Sequence, residues 1–180
     1  MGTGPPPPEG PGPGNEERRA GDRPSPPVRI SVIGTGRASE AEEALARRVG
    51  RALARRGAVL VCGGLGGVMA AAAGGCREEG GRTVGVLPGD LPGAANPWID
   101  LPLATGMGEA RNALVVRFGE AVVAVGGEWG TLSEIALARK LGRAVVTLGT
   151  PPVGGLGLPA AADPEGAVDW AVEQALESRP

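Results

Sequence analysis

Residues 121–134 read AVVAVGGEWGTLSE: five apolar residues, two glycines and a stretch of helical character. The run AVVAV has the continuous apolar composition of a strand that is buried on both faces of a parallel sheet. Gly126 and Gly127 end this strand, and the pattern after them predicts a helix that ends near Gly142. A buried strand that passes through a glycine turn into a helix is the repeating unit of an α/β fold.

The same unit recurs on both sides of this stretch. Buried strands are predicted at residues 28–34, 58–62, 82–87 and 143–148, with a short strand at 98–105. Helices are predicted from the capping box Ser39–Glu42 to Gly57, from the glycines at 63–67 to about Glu79, from Gly108 to Phe118 and, after a connector at 151–162, from Asp163-Pro164 onward. This alternation predicts a single α/β domain over residues 28–178, with helices on both faces of a parallel sheet.

The first 27 of the 180 residues hold nine prolines and six glycines and almost no large apolar side chains. Such a stretch buries too little surface to offset its ordering entropy, so we expect residues 1–27 to form a disordered tail. The tail lacks the apolar core of a signal peptide, and no apolar run approaches the roughly 18 residues that span a bilayer. We therefore expect a cytoplasmic protein.

Composition excludes several classes of site. The net charge of −2 does not favour binding to nucleic acid or to an anionic membrane, so neither is an expected partner. The chain has no histidine, which excludes histidine triads and histidine metal sites. Cys62 and Cys76 form no CxxC pair, and we expect both to be reduced and buried, with no metal site.

Three glycine-rich segments follow predicted strands, where open parallel sheets bind their ligands. The segment 34–37 (GTGR) presents amides at a helix start, which suits an anion, although a plain tight turn would look the same. The segment 63–69 (GGLGGVM) has four glycines, which either let a ligand approach or allow a helix to pack closely on the sheet.

The third segment, 126–134, brings amides, a hydroxyl and a carboxylate to one helix start. Thr131 and Glu134 have the spacing of a capping box, which explains both residues without any ligand. Arg111 is predicted near the start of the preceding helix, where a positive charge is unfavourable for the helix dipole. Three interactions are compatible with its side chain: a phosphate contact, an ion pair with Glu134, or solvation.

In this order, CGGLGGVM, MGEARN and GGEWGTLSE resemble the LOG-like superfamily, over residues 28–150. That group includes nucleoside-monophosphate phosphoribohydrolases that activate cytokinins, proteins formerly labelled lysine decarboxylases, and molybdenum cofactor carrier proteins. The resemblance implies a Rossmann-like, doubly wound sheet and a homodimer or tetramer.

The hydrolase branch has the signature P-G-G-x-G-T-x-x-E, preceded by an Arg-Lys pair. By this resemblance, Arg111 and Glu134 are the catalytic residues if the protein is an enzyme that cleaves an N-glycosidic bond. Gly126 replaces the proline of that signature, and Asn112 replaces the lysine. The resemblance therefore implies a nucleotide- or phosphate-ligand-binding protein closer to the carrier branch, with a phosphoribohydrolase as the alternative.

The expected ligand is a nucleotide, a phosphate or a molybdopterin-type compound, and no cofactor is required. A pyridoxal-phosphate decarboxylase is excluded, because the only lysine, Lys140, is predicted in the last turn of a helix, where the dipole alone favours a cation. The residues expected to contact the ligand are Gly34, Thr35, Gly36, Gly63, Gly64, Gly66, Gly67, Met69, Arg111, Asn112, Gly126, Gly127, Gly130, Thr131 and Glu134.

Overall fold

The computed structural model describes residues 25–151 and 154–179. Within these ranges strands and helices alternate as β1 Arg29–Gly34, α1 Glu40–Arg55, β2 Val59–Cys62, α2 Val68–Glu78, β3 Arg82–Leu87, β4 Leu101–Ala104, α3 Asn112–Phe118, β5 Ala121–Val125, α4 Trp129–Lys140, β6 Ala144–Leu148 and α5 Pro164–Glu177. Residues 1–24 of the predicted tail and residues 152–153 of the predicted connector lie outside the described residues.

The six strands of this part of the chain form one sheet in the order β4-β3-β2-β1-β5-β6, and all neighbours are parallel. The chain moves outward from β1 to β4 and then returns to the other side of β1 with β5. The strand order therefore reverses between β1 and β5, which is where a doubly wound sheet leaves a crevice at its carboxyl edge. The predicted Rossmann-like fold is confirmed.

Helices cover both faces of this sheet. On one face α1, α2 and α5 bury side chains such as Leu53 and Val172, and on the other α3 and α4 bury Val116 and Ile135. All five residues of β5, an interior strand of the sheet, are buried, as its continuous apolar sequence predicts. Among the described residues, none of the helices is long and apolar enough to pass through a membrane.

The small residues of α2 let it pack very closely on α1. A Cβ atom at Gly50 would collide with the backbone of Ala72, and one at Gly75 would collide with the backbone of Arg47. The alanine and glycine content of α2 is therefore explained by contact between the two helices.

The region around β4 departs from the prediction. The strand begins only at Leu101, because side-chain contacts hold the preceding residues: the Thr83 amide donates to the Asp100 carboxylate (2.9 Å), and the Thr83 hydroxyl donates to the carbonyl of Trp98 (2.6 Å). The predicted helix at 108–118 is divided into a 3-10 turn, Gly108–Arg111, and α3.

The caps of two other helices agree with the sequence. In α1, the amide of Glu42 donates to the Ser39 hydroxyl (3.3 Å) and the Ser39 amide donates to the Glu42 carboxylate (2.9 Å), so the capping box is confirmed. In α5, the Asp163 side chain accepts a hydrogen bond from the amide of Gly166 (2.7 Å). Leu176, which has the spacing of the buried face of α5, is instead half exposed.

Candidate functional site

A cleft of about 220 Å³ lies at the carboxyl ends of β1 and β2, beside the N-terminus of α4. It occupies the crevice where the strand order reverses. Its walls are formed by Val32, Ile33, Gly34, Thr35, Gly36, Gly63, Leu65, Met69, Glu109, Arg111, Asn112, Glu128, Gly130, Thr131 and Glu134.

The first two glycine segments pack directly against each other on one side of the cleft. The amide of Val68 donates to the carbonyl of Thr35 (3.1 Å). Gly67 has φ +58°, and a Cβ atom there would lie 2.6 Å from the carbonyl carbon of Gly36. Only glycine allows both this backbone conformation and this approach, so Gly67 fixes the two loops that form the wall.

Gly63 makes room for the side chain of Arg111. A Cβ atom at Gly63 would collide with the terminal nitrogens of the guanidinium and would lie 2.7 Å from the sulfur of Met69. Gly64 is different, because its missing Cβ faces Leu87, away from the cleft. The second glycine segment thus combines the two roles that its sequence left open: Gly63 faces the site, and Gly64 serves close packing.

Arg111 is a buried cation that pairs with no other residue in the described part of the chain. It is 5 % exposed, and its Nε has no hydrogen-bond acceptor. Among the described residues, it takes part in no ion pair. An ion pair with Glu134 is therefore wrong as an account of this side chain, which lines the cleft instead. The phosphate contact stays a prediction.

The predicted capping box of Thr131 and Glu134 is also wrong. Helix α4 begins at Trp129, three residues earlier than a Thr131 cap requires, and Glu128 at its N-cap makes no side-chain hydrogen bond. Thr131 is instead buried, its hydroxyl has no partner, and Glu134 is only 7 % exposed. Both side chains line the cleft.

Glu134 has an unusual ionisation. Burial raises its pKa to about 7, against the opposing effect of the nearby Arg111 charge, and Glu109 raises it further. At neutral pH this carboxyl group is therefore partly protonated and can both donate and accept hydrogen bonds. It does not fully neutralise the buried guanidinium.

The turn before α4 relies on two glycines that do not line the cleft. Gly126 and Gly127 have φ +55° and +127°. A Cβ atom at Gly126 would collide with the carboxylate of Glu42, and one at Gly127 would lie 2.6 Å from the Cβ of Thr131. These glycines direct the chain from β5 into α4 so that Thr131 turns inward.

The structure thus brings together ten of the expected ligand residues: Gly34, Thr35, Gly36, Gly63, Met69, Arg111, Asn112, Gly130, Thr131 and Glu134. It places the other five, Gly64, Gly66, Gly67, Gly126 and Gly127, in the supporting turns. Sequence reasoning missed Val32, Ile33, Leu65, Glu109 and Glu128. Glu109 and Glu128 lie inside the motifs MGEARN and GGEWGTLSE, so their position in those motifs was the available signal.

Cys62 lies under the cleft but is not poised to react. Burial raises the pKa of its thiol to about 12, so the thiolate is not formed at neutral pH. Both cysteines are free and buried, as predicted. Within the described ranges, no group of three or more Cys, Asp or Glu residues is arranged to hold a metal ion.

Comparison with known proteins identifies the family. The sequence model of the SLOG cluster4 family matches residues 27–166. The chain belongs to the SLOG cluster4 family. This membership confirms the resemblance to the LOG-like superfamily.

Relatives of this SLOG cluster4 protein include molybdenum cofactor proteins. An uncharacterized protein of Archaeoglobus fulgidus is 42 % identical over 152 residues, covering 83 % of this chain and 98 % of its own. The molybdenum cofactor binding protein of Rippkaea orientalis superposes with a TM-score of 0.76 at 29 % identity, covering 83 % of this chain and 98 % of that one. The molybdenum cofactor carrier protein of Chlamydomonas reinhardtii gives 0.74 at 36 % identity, covering 84 % and 99 %.

A more distant structure shares the fold alone. DNA processing protein A of Helicobacter pylori, which binds single-stranded DNA, superposes with a TM-score of 0.63 at 20 % identity, covering 82 % of this chain and 81 % of that one. The expectation that the SLOG cluster4 chain binds no nucleic acid stays a prediction.

Proposed function

We propose that the protein binds a phosphate-bearing small molecule of the molybdopterin type in the cleft, with the phosphate against Arg111. One observation carries this proposal: Arg111 is 5 % exposed, pairs with no other described residue, and lines the cleft. A buried charge without a partner is costly, and an anionic ligand supplies the missing partner.

The surroundings of Arg111 suit a phosphate group. The cleft is bounded by the backbone of Gly34–Gly36 and by the first turn of α4, and a helix N-terminus attracts anions through its free amides and its dipole. The hydroxyl of Thr131 has no hydrogen-bond partner within residues 25–151 and 154–179, and it is available as a donor to a phosphate oxygen.

A molybdopterin-type ligand has a phosphate ester at one end and a planar heteroaromatic ring at the other. The cleft of about 220 Å³ is smaller than the roughly 300 Å³ at which pockets for complete drug-sized ligands begin. It accommodates the phosphate and the atoms next to it, so the ring extends to the mouth. The likeness to two molybdenum cofactor proteins, at 29 % and 36 % identity, favours this ligand class.

Isothermal titration with ribose 5-phosphate, GMP and a pterin phosphate tests the proposal. Arg111→Ala should weaken binding of every phosphate probe by about 100-fold or more, because it removes the charge that pairs with the phosphate. Arg143→Ala is the matched control: its Nε is also buried without a partner, but it precedes β6 at the opposite edge of the sheet. Equal loss in both variants, or binding that is unchanged in Arg111→Ala, would contradict the proposal.

A second candidate function is hydrolysis of nucleoside 5′-monophosphates. Glu134, with a pKa raised to about 7, is suited to act as a general acid or base near neutral pH, and it shares the cleft with Arg111. In this reaction the bond between C1′ and the base nitrogen breaks, the oxygen of water bonds to C1′, and a proton is transferred to the base. The products are ribose 5-phosphate and the free base.

Chromatography for free base distinguishes the two functions. If the protein is a hydrolase, base is released from a panel of nucleoside 5′-monophosphates, and release is abolished in both Glu134→Gln and Arg111→Ala. If it is a binding protein, the same samples retain intact nucleotide, and titration still detects binding.

The remaining partner predictions are tested on the same purified protein. A mobility-shift assay with single-stranded DNA should detect no complex, since the net charge is −2. Sedimentation of the full chain measures whether it is the homodimer or tetramer that the family resemblance implies.

A further inference from the structure

Trp129 lies in the chain between two residues that line the cleft, and it is largely exposed. It is the first residue of α4, and its neighbours on either side, Glu128 and Gly130, both line the cleft. Its side chain is 83 % exposed, the largest value for a large apolar residue in the described part of the chain. Leaving an indole in water forfeits the stabilisation that its burial provides.

The space around the start of α4 is open. A Cβ atom at Gly130 would meet nothing within 4 Å. A planar group at the mouth of the cleft therefore finds room beside the indole.

We infer that Trp129 stacks on the aromatic ring of the bound ligand and selects ring-bearing phosphates over simple sugar phosphates. This inference rests on the proposed function, because a phosphate held at Arg111 fills the cleft and leaves the ring at its mouth. Stacking of a base on an aromatic side chain typically strengthens binding by about 10-fold or more. Trp129 is thus a specificity residue, and Arg111 holds the group common to all these ligands.

Titration of Trp129→Ala with paired probes tests the inference. Ribose 5-phosphate measures the phosphate site alone, while GMP and a pterin phosphate add a ring. We expect Trp129→Ala to lose about 10-fold in affinity for the ring-bearing probes and to keep its affinity for ribose 5-phosphate. Trp98→Phe is the control, since Trp98 is also exposed but neither of its neighbours in the chain lines the cleft.

Fluorescence gives a second readout, because the chain has only three tryptophans, Trp98, Trp129 and Trp170. In the double variant Trp98→Phe/Trp170→Phe, GMP should quench the remaining indole, whereas ribose 5-phosphate should not. This measurement reports contact with the ring independently of any effect on stability.

The outcomes separate the inference from the proposed function. If ribose 5-phosphate binds but Trp129→Ala binds ring-bearing probes as the wild type does, the inference is overturned and the phosphate site stands. If no phosphate probe binds, the proposed function and the inference about Trp129 are both overturned. A change of oligomeric state in Trp129→Ala, with ring affinity unchanged, would also overturn the inference and would assign Trp129 to a subunit contact.

Discussion

The same four-residue capping pattern occurs near the start of two helices of this protein, but it forms a cap at only one of them. Ser39-x-x-Glu42 forms a complete capping box at the start of α1. Thr131-x-x-Glu134 forms none, and its hydroxyl and carboxyl groups are buried in the cleft. Both patterns follow a predicted strand and a glycine-rich turn, so the local sequence does not distinguish them.

The difference arises from where each helix begins. The glycine turn after β5 lets α4 start at Trp129, which places Thr131 inside the first turn and rotates it toward the cleft. Ser39 is exposed and lies just outside α1, where its side chain accepts a hydrogen bond from the Glu42 amide as the N-cap. Ser39 and Glu42 form hydrogen bonds within their own pattern, and these stabilise the fold. The buried polar groups of Thr131 and Glu134 form no such hydrogen bonds, so they are available for a ligand beside Arg111.

The largest effect on phosphate binding is expected from removal of the Arg111 charge, which has no counterpart at the start of α1. Arg111→Met should weaken phosphate binding by about 100-fold or more, yet leave the free energy of unfolding unchanged or higher, because an unpaired buried charge is replaced by an apolar chain. Titration and urea unfolding on the same variant measure both. A large loss of stability would indicate that Arg111 has a structural role instead.

The next effect is the pH dependence of stability that Glu134 contributes. In the unfolded chain a glutamate titrates near pH 4.3, and in the folded protein Glu134 titrates at about 7. The folded state therefore holds the proton more tightly, and this group lowers stability progressively as the pH rises from about 4.3 to 7, with a constant cost above 7.

Glu134→Gln removes that dependence. The variant should match the wild type near pH 4 and be more stable at pH 8 by about 4 kcal/mol, measured by urea unfolding at both pH values. Glu42→Gln is the control from the other pattern. If the wild type and Glu134→Gln differ equally at pH 4 and pH 8, the raised pKa of Glu134 is wrong.

Removal of the Ser39 and Thr131 hydroxyl groups is expected to give smaller effects, which differ in the free energy of unfolding. Ser39→Ala should lower the free energy of unfolding by about 1 kcal/mol, because a helix N-cap is lost. Thr131→Val should cost no stability, since its buried hydroxyl has no partner, and should weaken phosphate binding several-fold. Equal destabilisation by the two substitutions would mean that Thr131 has a protein partner after all.

The smallest effect is expected at the paired arginines of α1. Arg48 forms an exposed ion pair with Glu165 at 2.6 Å. Arg48→Ala should change the free energy of unfolding by less than about 1 kcal/mol and leave phosphate binding unaffected. If Arg48→Ala weakened phosphate binding as much as Arg111→Met, the absence of an ion pair would not explain the role of Arg111.

The strands were predictable because continuous apolar runs bounded by glycines have few alternative structures in a chain of this length. The cleft residues in the three glycine segments follow from the same reasoning, since glycine segments after parallel strands meet at one edge. Asn112 was expected only from the family resemblance. The late start of β4 was not predictable, because it depends on contacts between Thr83 and residues 15 or more positions away. The start of α4 was not predictable either, because it depends on the turn geometry at Gly126 and Gly127.

By itself, therefore, the sequence determined the α/β alternation and the parallel sheet. It also predicted the carboxyl edge as the candidate site and two of the four charged residues that line the cleft, Arg111 and Glu134. Only the tertiary structure decided that Arg111 is buried without a partner and that Thr131 and Glu134 face a cleft. Burial is a property of segments that are distant in sequence, here Gly63, Arg111 and Glu134, packed against one another. The free energy of a charge depends on that burial, so local sequence cannot reveal it.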